Sequence, residues 1–379
     1  MDRRRVVITG LGAVTPLGLT MQESWQAVRE GCCGIGPITQ YDTAGQKVML
    51  AAEVRGFDPE AYMPRAQAKH LGRFTQFAVA AAVQALADAG LTAFDPDRCG
   101  VAVSSGIGGQ IIMEAEHLRG MERGFDRVSP FYIPMAISNM AAGQVAIAAG
   151  FRGMCTCPVT ACAGGSNAVG DAFRHICDGY ADVMLCGGTE ASITPLAIGG
   201  FTSMKALTQA ADPNRASILA EVTGYGVTCD AHHMTAPAPD GAGAARTMEQ
   251  ALADGGVRAE EFGYINAHGT STHLNDACET AAVRRAFGAH ADRLMMSSTK
   301  SMTGHMLGAA GAVEAAFTAL AMRDGFVPAT INYRTPDPEC DLDIVANAGR
   351  RAELRAAMSN SLGFGGHNVS LVMRRWEDA

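Results

Sequence analysis

Aromatic residues are scarce in this chain, 6% of 379, and charged residues reach only 18%. A chain so poor in large rings must pack by close approach of small residues, and 44 glycines supply the means. No apolar stretch reaches the about 18 residues that mark a membrane-spanning helix, so no membrane span is expected. The eleven cysteines lack metal-ligand spacing: Cys155-x-Cys157 and Cys32-Cys33 fit neither a zinc ribbon nor a thioredoxin-like pair, and no metal is expected. An odd cysteine count without a framework reads as reduced thiols, and so as a cytoplasmic protein. Met1-Asp2-Arg3-Arg4-Arg5 is basic, but the apolar run after it is too short for a signal peptide. A net charge of −8 argues against generic nucleic-acid binding. Gly10-Leu11-Gly12 lacks the third glycine of a dinucleotide fingerprint, since position 15 is Thr and Pro16 follows.

What is present is an alternation of strands and helices long enough for a large core, and 48% hydrophobic. Residues 5–9 read as a short β-branched strand. An Ala-rich helix is expected over 74–89, stopped by Gly90, and a strand over 99–105 with the loop Gly106-Ile107-Gly108-Gly109 behind it. The run Val159-Thr160-Ala161-Cys162-Ala163-Gly164-Gly165-Ser166 sets a thiol among small residues where an apolar strand ends. Val169, Ala172, Phe173 and Ile176 recur at helical spacing beyond it, with Gly179 as a stop. Cys162 is therefore expected near the positive end of a helix dipole, which favours thiolate. The strand at 181–188 completes a βαβ unit, whose right-handed crossover implies a mainly parallel sheet.

The second half repeats this style. Strands are expected at 262–267, ending before His268, and at 293–298, leading to Lys300. A long Ala-rich helix opens at His305 and runs to about Asp324, and two strands flank the turn Gly363-Phe364-Gly365-Gly366. Polar residues of catalytic type thus fall at carboxyl ends of strands, where open α/β sheets place their sites. A single histidine beside glycine is commonly structural. Two at element junctions, with a lysine five residues before one of them and a poised cysteine, suit acyl transfer through a thioester.

Thr160-Ala161-Cys162, His268-Gly269-Thr270-Ser271-Thr272, Lys300-Ser301-Met302-Thr303-Gly304-His305 and Gly363-Phe364-Gly365-Gly366 together resemble the signature motifs of β-ketoacyl-[acyl-carrier-protein] synthases. The resemblance covers nearly the whole chain and is nearest the type II elongating enzymes of bacterial fatty-acid synthesis. It implies an α/β thiolase-like fold, a five-layered α-β-α-β-α internal duplication, normally a homodimer. The N-terminal half, 1–216, would carry the nucleophile, and the C-terminal half, 217–379, the His/Lys/His motifs and a gating loop. By the same resemblance Cys162 takes the acyl chain from acyl-ACP, with its oxyanion held by the N–H groups of Cys162 and Phe364. Malonyl-ACP then loses CO2, and His268 and His305 hold the enolate oxygen. His305, at a helix start, is expected to be neutral.

Lys300 is expected to orient the site through a network with Glu279, with Asp276 on the same loop; the plain alternative for both acids is a solvated helix charge. Thr270 and Thr272 match hydroxyls that bind the phosphopantetheine arm, and Ile107 and Phe364 match an acyl-pocket gate. Tyr132 matches a residue that closes the neighbouring subunit's pocket. No further cofactor is implied, since substrates travel on the carrier protein. That partner is acidic, and Arg65, Lys69, Arg123, Arg127 and Lys205 are candidate docking residues.

The chain departs from the pattern after Ala216. Relatives carry a further Gly-rich stretch and a strand pair between Ala216 and Ser217, although Ala206-Leu207-Thr208 and Glu221-Val222-Thr223-Gly224 match on each side. An internal deletion there would strip backbone hydrogen-bond partners from a sheet. Leu362, His367, His273 and Asn275 also depart from the pattern, and they bear on chain-length preference. Alternatives are a catalytically impaired partner or chain-length subunit, a secondary-metabolite ketosynthase, and a thiolase. A thiolase would want a second cysteine, which the motif at 363–366 lacks.

Overall fold

The computed structural model describes residues 4–203 and 221–375. The junction at Ala216, the half boundary beside it and Lys205 lie outside the described residues. The elements that position the site are β1 (Val6–Val7), α1 (Arg73–Ala89), β2 (Cys99–Ser104), α2 (Met140–Ala149), β3 (Cys155–Thr156), α3 (Gly164–Cys177) and β4 (Val183–Gly188). The second half continues with β5 (Glu221–Cys229), α4 (Ala242–Gly255), β6 (Phe262–Asn266), α5 (His273–Phe287), β7 (Met295–Ser297), α6 (Ala310–Asp324), β8 (Asp343–Ile344), β9 (Ala356–Gly363) and β10 (His367–Arg374).

Two sheets result. One runs β3-β2-β4, all parallel as the βαβ reading required. The other is seven-stranded and mixed, in the order β1-β5-β10-β9-β6-β7-β8. Its β9, β6, β7 and β8 are parallel, whereas β9–β10, β10–β5 and β5–β1 pair antiparallel. Every residue of β2 is buried, the pattern of a parallel strand covered on both faces. Helices α1 and α2 pack outside the smaller sheet, α4 and α5 outside the larger, and α3 with α6 between the two. Helix, sheet, helix, sheet, helix is the thiolase-like layering.

The central layer explains the glycine content. At the α3–α6 crossing, a Cβ on Gly165 would lie 2.7 Å from the Ala312 backbone nitrogen, so only glycine permits the approach. Around that crossing Trp25, Phe173, Phe317 and Leu320 form the main core. Separate cores lie under the outer helices, with Phe74, Val101 and Val145 on one side and Met248, Phe262 and Val283 on the other. Among the described residues, no helix is long and apolar enough to cross a membrane.

Several strand ends are shorter than expected, as at 181–188 and 293–298, which run Val183–Gly188 and Met295–Ser297, and two further differences have a clear cause. The first strand is only Val6–Val7, as much of it as pairs with β5. The helix expected to open at His305 begins instead at Ala310, after a 3-10 turn over Leu307–Ala309. Leu307 has φ +47°, which an α-helix cannot absorb.

Candidate active site

Cys162 lies in a 3-10 turn, Ala161–Ala163, that feeds directly into α3. Ala161 takes a left-handed φ of +47°, a strain of about 1–3 kcal/mol held by its surroundings. Thr160 Oγ1 donates to Asn167 Oδ1 at 2.5 Å, and Asn167 Nδ2 donates to Tyr225 Oη at 2.7 Å, tying the turn to α3 and β5. Gly363 packs on the other side: a Cβ there would stand 3.0 Å from the Thr160 carbonyl and 3.4 Å from the Cys162 nitrogen. The β9–β10 turn thus brings the Phe364 N–H to the Cys162 sulfur, beside the residue's own N–H.

The thiolate expectation needs correcting. Burial pushes the Cys162 thiol up to about 11, against the pull of Lys300 and of the two N–H groups. Desolvation outweighs these pulls, so the resting group is a thiol.

Opposite the thiol lie two imidazoles. His268 follows β6, and His305 follows the short helix Lys300–Thr303; their rings meet edge to face with centroids 5.4 Å apart. Burial, with Lys300 and His305 adding to it, holds His268 well below the ordinary imidazole range. Burial, then Lys300, takes His305 down to about 3. Both rings are therefore neutral at working pH, for a reason other than a helix start. The Leu307 N–H donates to His305 Nδ1 at 3.2 Å, so the neutral ring carries its proton on Nε2 and presents a donor there. Ser271, after His268, and Leu307, after His305, both take left-handed φ values, so each histidine precedes a strained turn as Cys162 follows one.

The acids differ from expectation. Lys300 is paired with Glu314 on α6 at 2.6 Å, both side chains buried, and not with Glu279. Glu279 instead accepts the His268 N–H at 2.9 Å and the Gly269 N–H at 3.0 Å, with Asn360 Nδ2 at 3.3 Å. It is a buried clamp on the histidine loop, not a solvated charge. Asp276 is also enclosed: burial raises its carboxyl, opposed by Asn275 Nδ2 at 3.0 Å and the Ser271 N–H. Burial lifts Glu314 to about 7 despite Lys300. Glu314 was missed, although one acid in the apolar run Ala310-Gly311-Ala312-Val313-Glu314-Ala315-Ala316 marks a buried partner.

A cavity of about 1770 Å³ joins these groups, and Cys162, His268, Lys300, His305, Phe364 and Glu279 all line it. Thr270, Thr272 and Asp276 line it too, with Thr270 Oγ1 and Thr272 Oγ1 2.9 Å apart. Ile107 and Tyr132 stand outside that lining. Ile107 sits in the loop after β2, and Tyr132 opens a short helix, Tyr132–Ala136. Arg65, Lys69, Arg123 and Arg127 are exposed. His70 stacks on Phe131 at 3.9 Å, which sets the segment holding Arg65 and Lys69 beside the one following Arg123 and Arg127.

A buried cysteine under backbone N–H groups, facing two neutral imidazoles, defines a thioester acyltransferase. The chain matches the models of the β-ketoacyl synthase N-terminal domain over residues 3–228 and C-terminal domain over 219–334. It is 46% identical to 3-oxoacyl-[acyl-carrier-protein] synthase 2 of Synechocystis sp., across 100% of this chain and 99% of the relative. It is 44% identical to the protein of that name from Staphylococcus aureus, across 99% of each. The Synechocystis alignment runs over 413 positions, more than the 379 residues here, so that relative carries residues without counterpart in this chain. Among solved structures, the ishigamide ketosynthase/chain length factor superposes with a TM-score of 0.92 at 33% identity, covering 99% of this chain and 100% of that one. A type II polyketide ketosynthase solved with its acyl-carrier protein gives 0.88 at 31%, with the same coverage. The chain belongs to the β-ketoacyl synthase family. It is a ketosynthase, an acyltransferase of fatty-acid elongation.

Proposed function

We propose that this chain joins an acyl group held on Cys162 to a malonyl unit carried by acyl carrier protein, with loss of CO2, and releases 3-oxoacyl-ACP. The Cys162 sulfur attacks the acyl-ACP thioester, and its proton leaves with the carrier thiol. The Cys162 and Phe364 N–H groups hold the tetrahedral oxyanion. When malonyl-ACP replaces the first carrier, its thioester oxygen lies against His268 and His305, which as neutral donors stabilise the enolate formed as the C–C bond to CO2 breaks. The enolate carbon attacks the Cys162 thioester and the sulfur leaves. Lys300 and Glu314 fix the electrostatics behind the histidines, and Glu279 and Asp276 fix the loops. The observation that carries this reading is the pairing of two backbone donors at one sulfur with two neutral imidazoles across one cavity.

The Thr270–Thr272 hydroxyl pair would bind the phosphopantetheine arm, with Phe364 and Ile107 gating the acyl side. Arg65, Lys69, Arg123 and Arg127 would meet the acidic carrier, as a related ketosynthase meets its own acyl-carrier protein. Leu118, Met121, Phe125, Phe131, Ile133 and Ile137 leave large apolar side chains exposed beside Tyr132. Such a patch supports a homodimer in which Tyr132 closes the partner's pocket. We place the enzyme in the cytoplasm and assign it no cofactor beyond the carrier's arm. The test is condensation of radiolabelled malonyl-ACP with acyl-ACP. Cys162→Ala should abolish both the acyl-enzyme adduct in intact mass and 3-oxoacyl product; full condensation by the variant defeats the reading.

A further inference from the structure

Glu190, just past the end of β4, takes no part in the chemistry above, yet its carboxylate is the most heavily hydrogen-bonded acid beside the site. Oε1 accepts from Ser105 Oγ at 2.9 Å and the Ile107 N–H at 3.2 Å, with a longer bond from the neighbouring Ser192 Oγ at 3.5 Å. Oε2 accepts from the Gly106 N–H at 2.8 Å and the Gly308 N–H at 3.2 Å. Three of these donors belong to the loop after β2, and the Gly308 N–H belongs to the loop after His305. The two loops also touch backbone to backbone: a Cβ on Gly308 would stand 2.5 Å from the Gly106 nitrogen. Gly308 follows Leu307, whose N–H donates to His305 Nδ1 and so sets which ring nitrogen carries the proton.

We propose that Glu190 is a positioning residue that clasps the Ile107 loop, on the acyl side of the site, to the His305 loop, on the decarboxylating side. The proposal rests on the reaction assigned above. Its two oxygens divide the work: Oε2 ties Gly106 to Gly308, and Oε1 holds Ile107 and Ser105.

That division makes Glu190→Gln informative. An amide has only one acceptor oxygen, and its NH2 must face a group able to accept. Ser105 Oγ can accept and the backbone N–H groups cannot, so the glutamine turns its oxygen to Gly106 and Gly308 and its NH2 to Ser105. Among the backbone donors the Ile107 N–H alone is left unmet, while the Ser105 hydroxyl, which already accepts the Gly108 N–H at 3.0 Å, turns its own proton away. Glu190→Ala releases both loops.

Two readouts separate the sides. Malonyl-thioester decarboxylation reports the His305 loop. The ratio of Cys162 labelling by a long-chain N-alkyl iodoacetamide to labelling by iodoacetamide reports the acyl loop without any turnover. The ratio also cancels the change in thiol acidity that follows loss of a nearby negative charge. Glu190→Gln should raise that ratio about tenfold, the weight of one unmet buried donor, while decarboxylation stays within about threefold. Glu190→Ala should raise the ratio and lower decarboxylation about a hundredfold, the weight of one misplaced donor to the enolate. Equal effects of Gln and Ala on both readouts, or an unchanged ratio in both, overturn the clasp. If wild type labels as described but makes no 3-oxoacyl product, the assigned reaction falls and the clasp stands.

Discussion

The nucleophile side and the histidine side of this site are built from opposite materials. Around Cys162 the polar groups are backbone: two N–H groups, a helix end and a strained Ala161, with the side chains small. Around His268 and His305 they are side chains, with the Lys300–Glu314 pair and the Glu279 clamp sealed in the interior. Both sides arrive at a neutral resting state. Burial makes the thiol hard to ionise and the imidazoles hard to protonate, and neither the two N–H groups nor Lys300 reverses it for the thiol. The lesson is that neutrality here is a property of the enclosed cavity and not of any single neighbour. New charge at the reacting atoms then appears only when a substrate oxygen arrives, at donors already in place.

Breaking the histidine side should have the largest effect. His305→Ala removes an enolate donor and should lower malonyl decarboxylation about 100- to 1,000-fold. Acylation of Cys162 should stay within severalfold, because its oxyanion donors are backbone groups. Measuring both by carbon dioxide release and intact mass checks the division, and equal losses in the two would erase it. The same neutral state gives a pH prediction. With His305 held near 3, decarboxylation should show no loss from its protonation between about pH 5 and 8. An acid limb near the ordinary imidazole pKa, absent in His305→Ala, would contradict it.

The second break is in the ion pair. Lys300→Met leaves Glu314 buried without its cation and should cost about 3–5 kcal/mol in urea unfolding. Lys300→Met combined with Glu314→Met should recover most of that stability and little of the activity. Recovery of both would reduce the pair to scaffolding.

Legibility in the sequence followed the same divide. Strand and helix periods, Gly90 as a helix stop and the hairpin around Gly363 were readable because they are local. So was the set Cys162, His268, Lys300, His305, since each stands in a short run of small residues at an element end. The Lys300–Glu314 contact was not readable, because a salt bridge depends on how α6 packs beside the short helix Lys300–Thr303, which no local pattern states. Glu279 lines the same cavity, but its partners are the His268 and Gly269 N–H groups and not Lys300, for the same reason. Glu190 carried a weak signal, one acid after Gly187-Gly188-Thr189 at a strand end. Sign and size of the Cys162 shift were illegible: burial opposes the Lys300 cation and the N–H donors, and only the packed structure says which is larger.

The smallest expected effect tests that last point on the nucleophile side. Iodoacetamide reacts with thiolate, so a thiol raised to about 11 should be labelled about tenfold faster per pH unit up to that point. Lys300 lowers this value, so Lys300→Met should move the whole profile to higher pH and slow labelling at any fixed pH below it. The stability loss in that variant must be kept apart from the shift, which the double replacement with Glu314→Met does: it restores packing but not the cation. If the double variant labels like wild type, the cation has no hold on the thiol and its acidity is set by burial, Glu190 and the Phe364 and Cys162 N–H groups. If it labels more slowly at every pH, the two sides of the site share one electrostatic field despite their different construction.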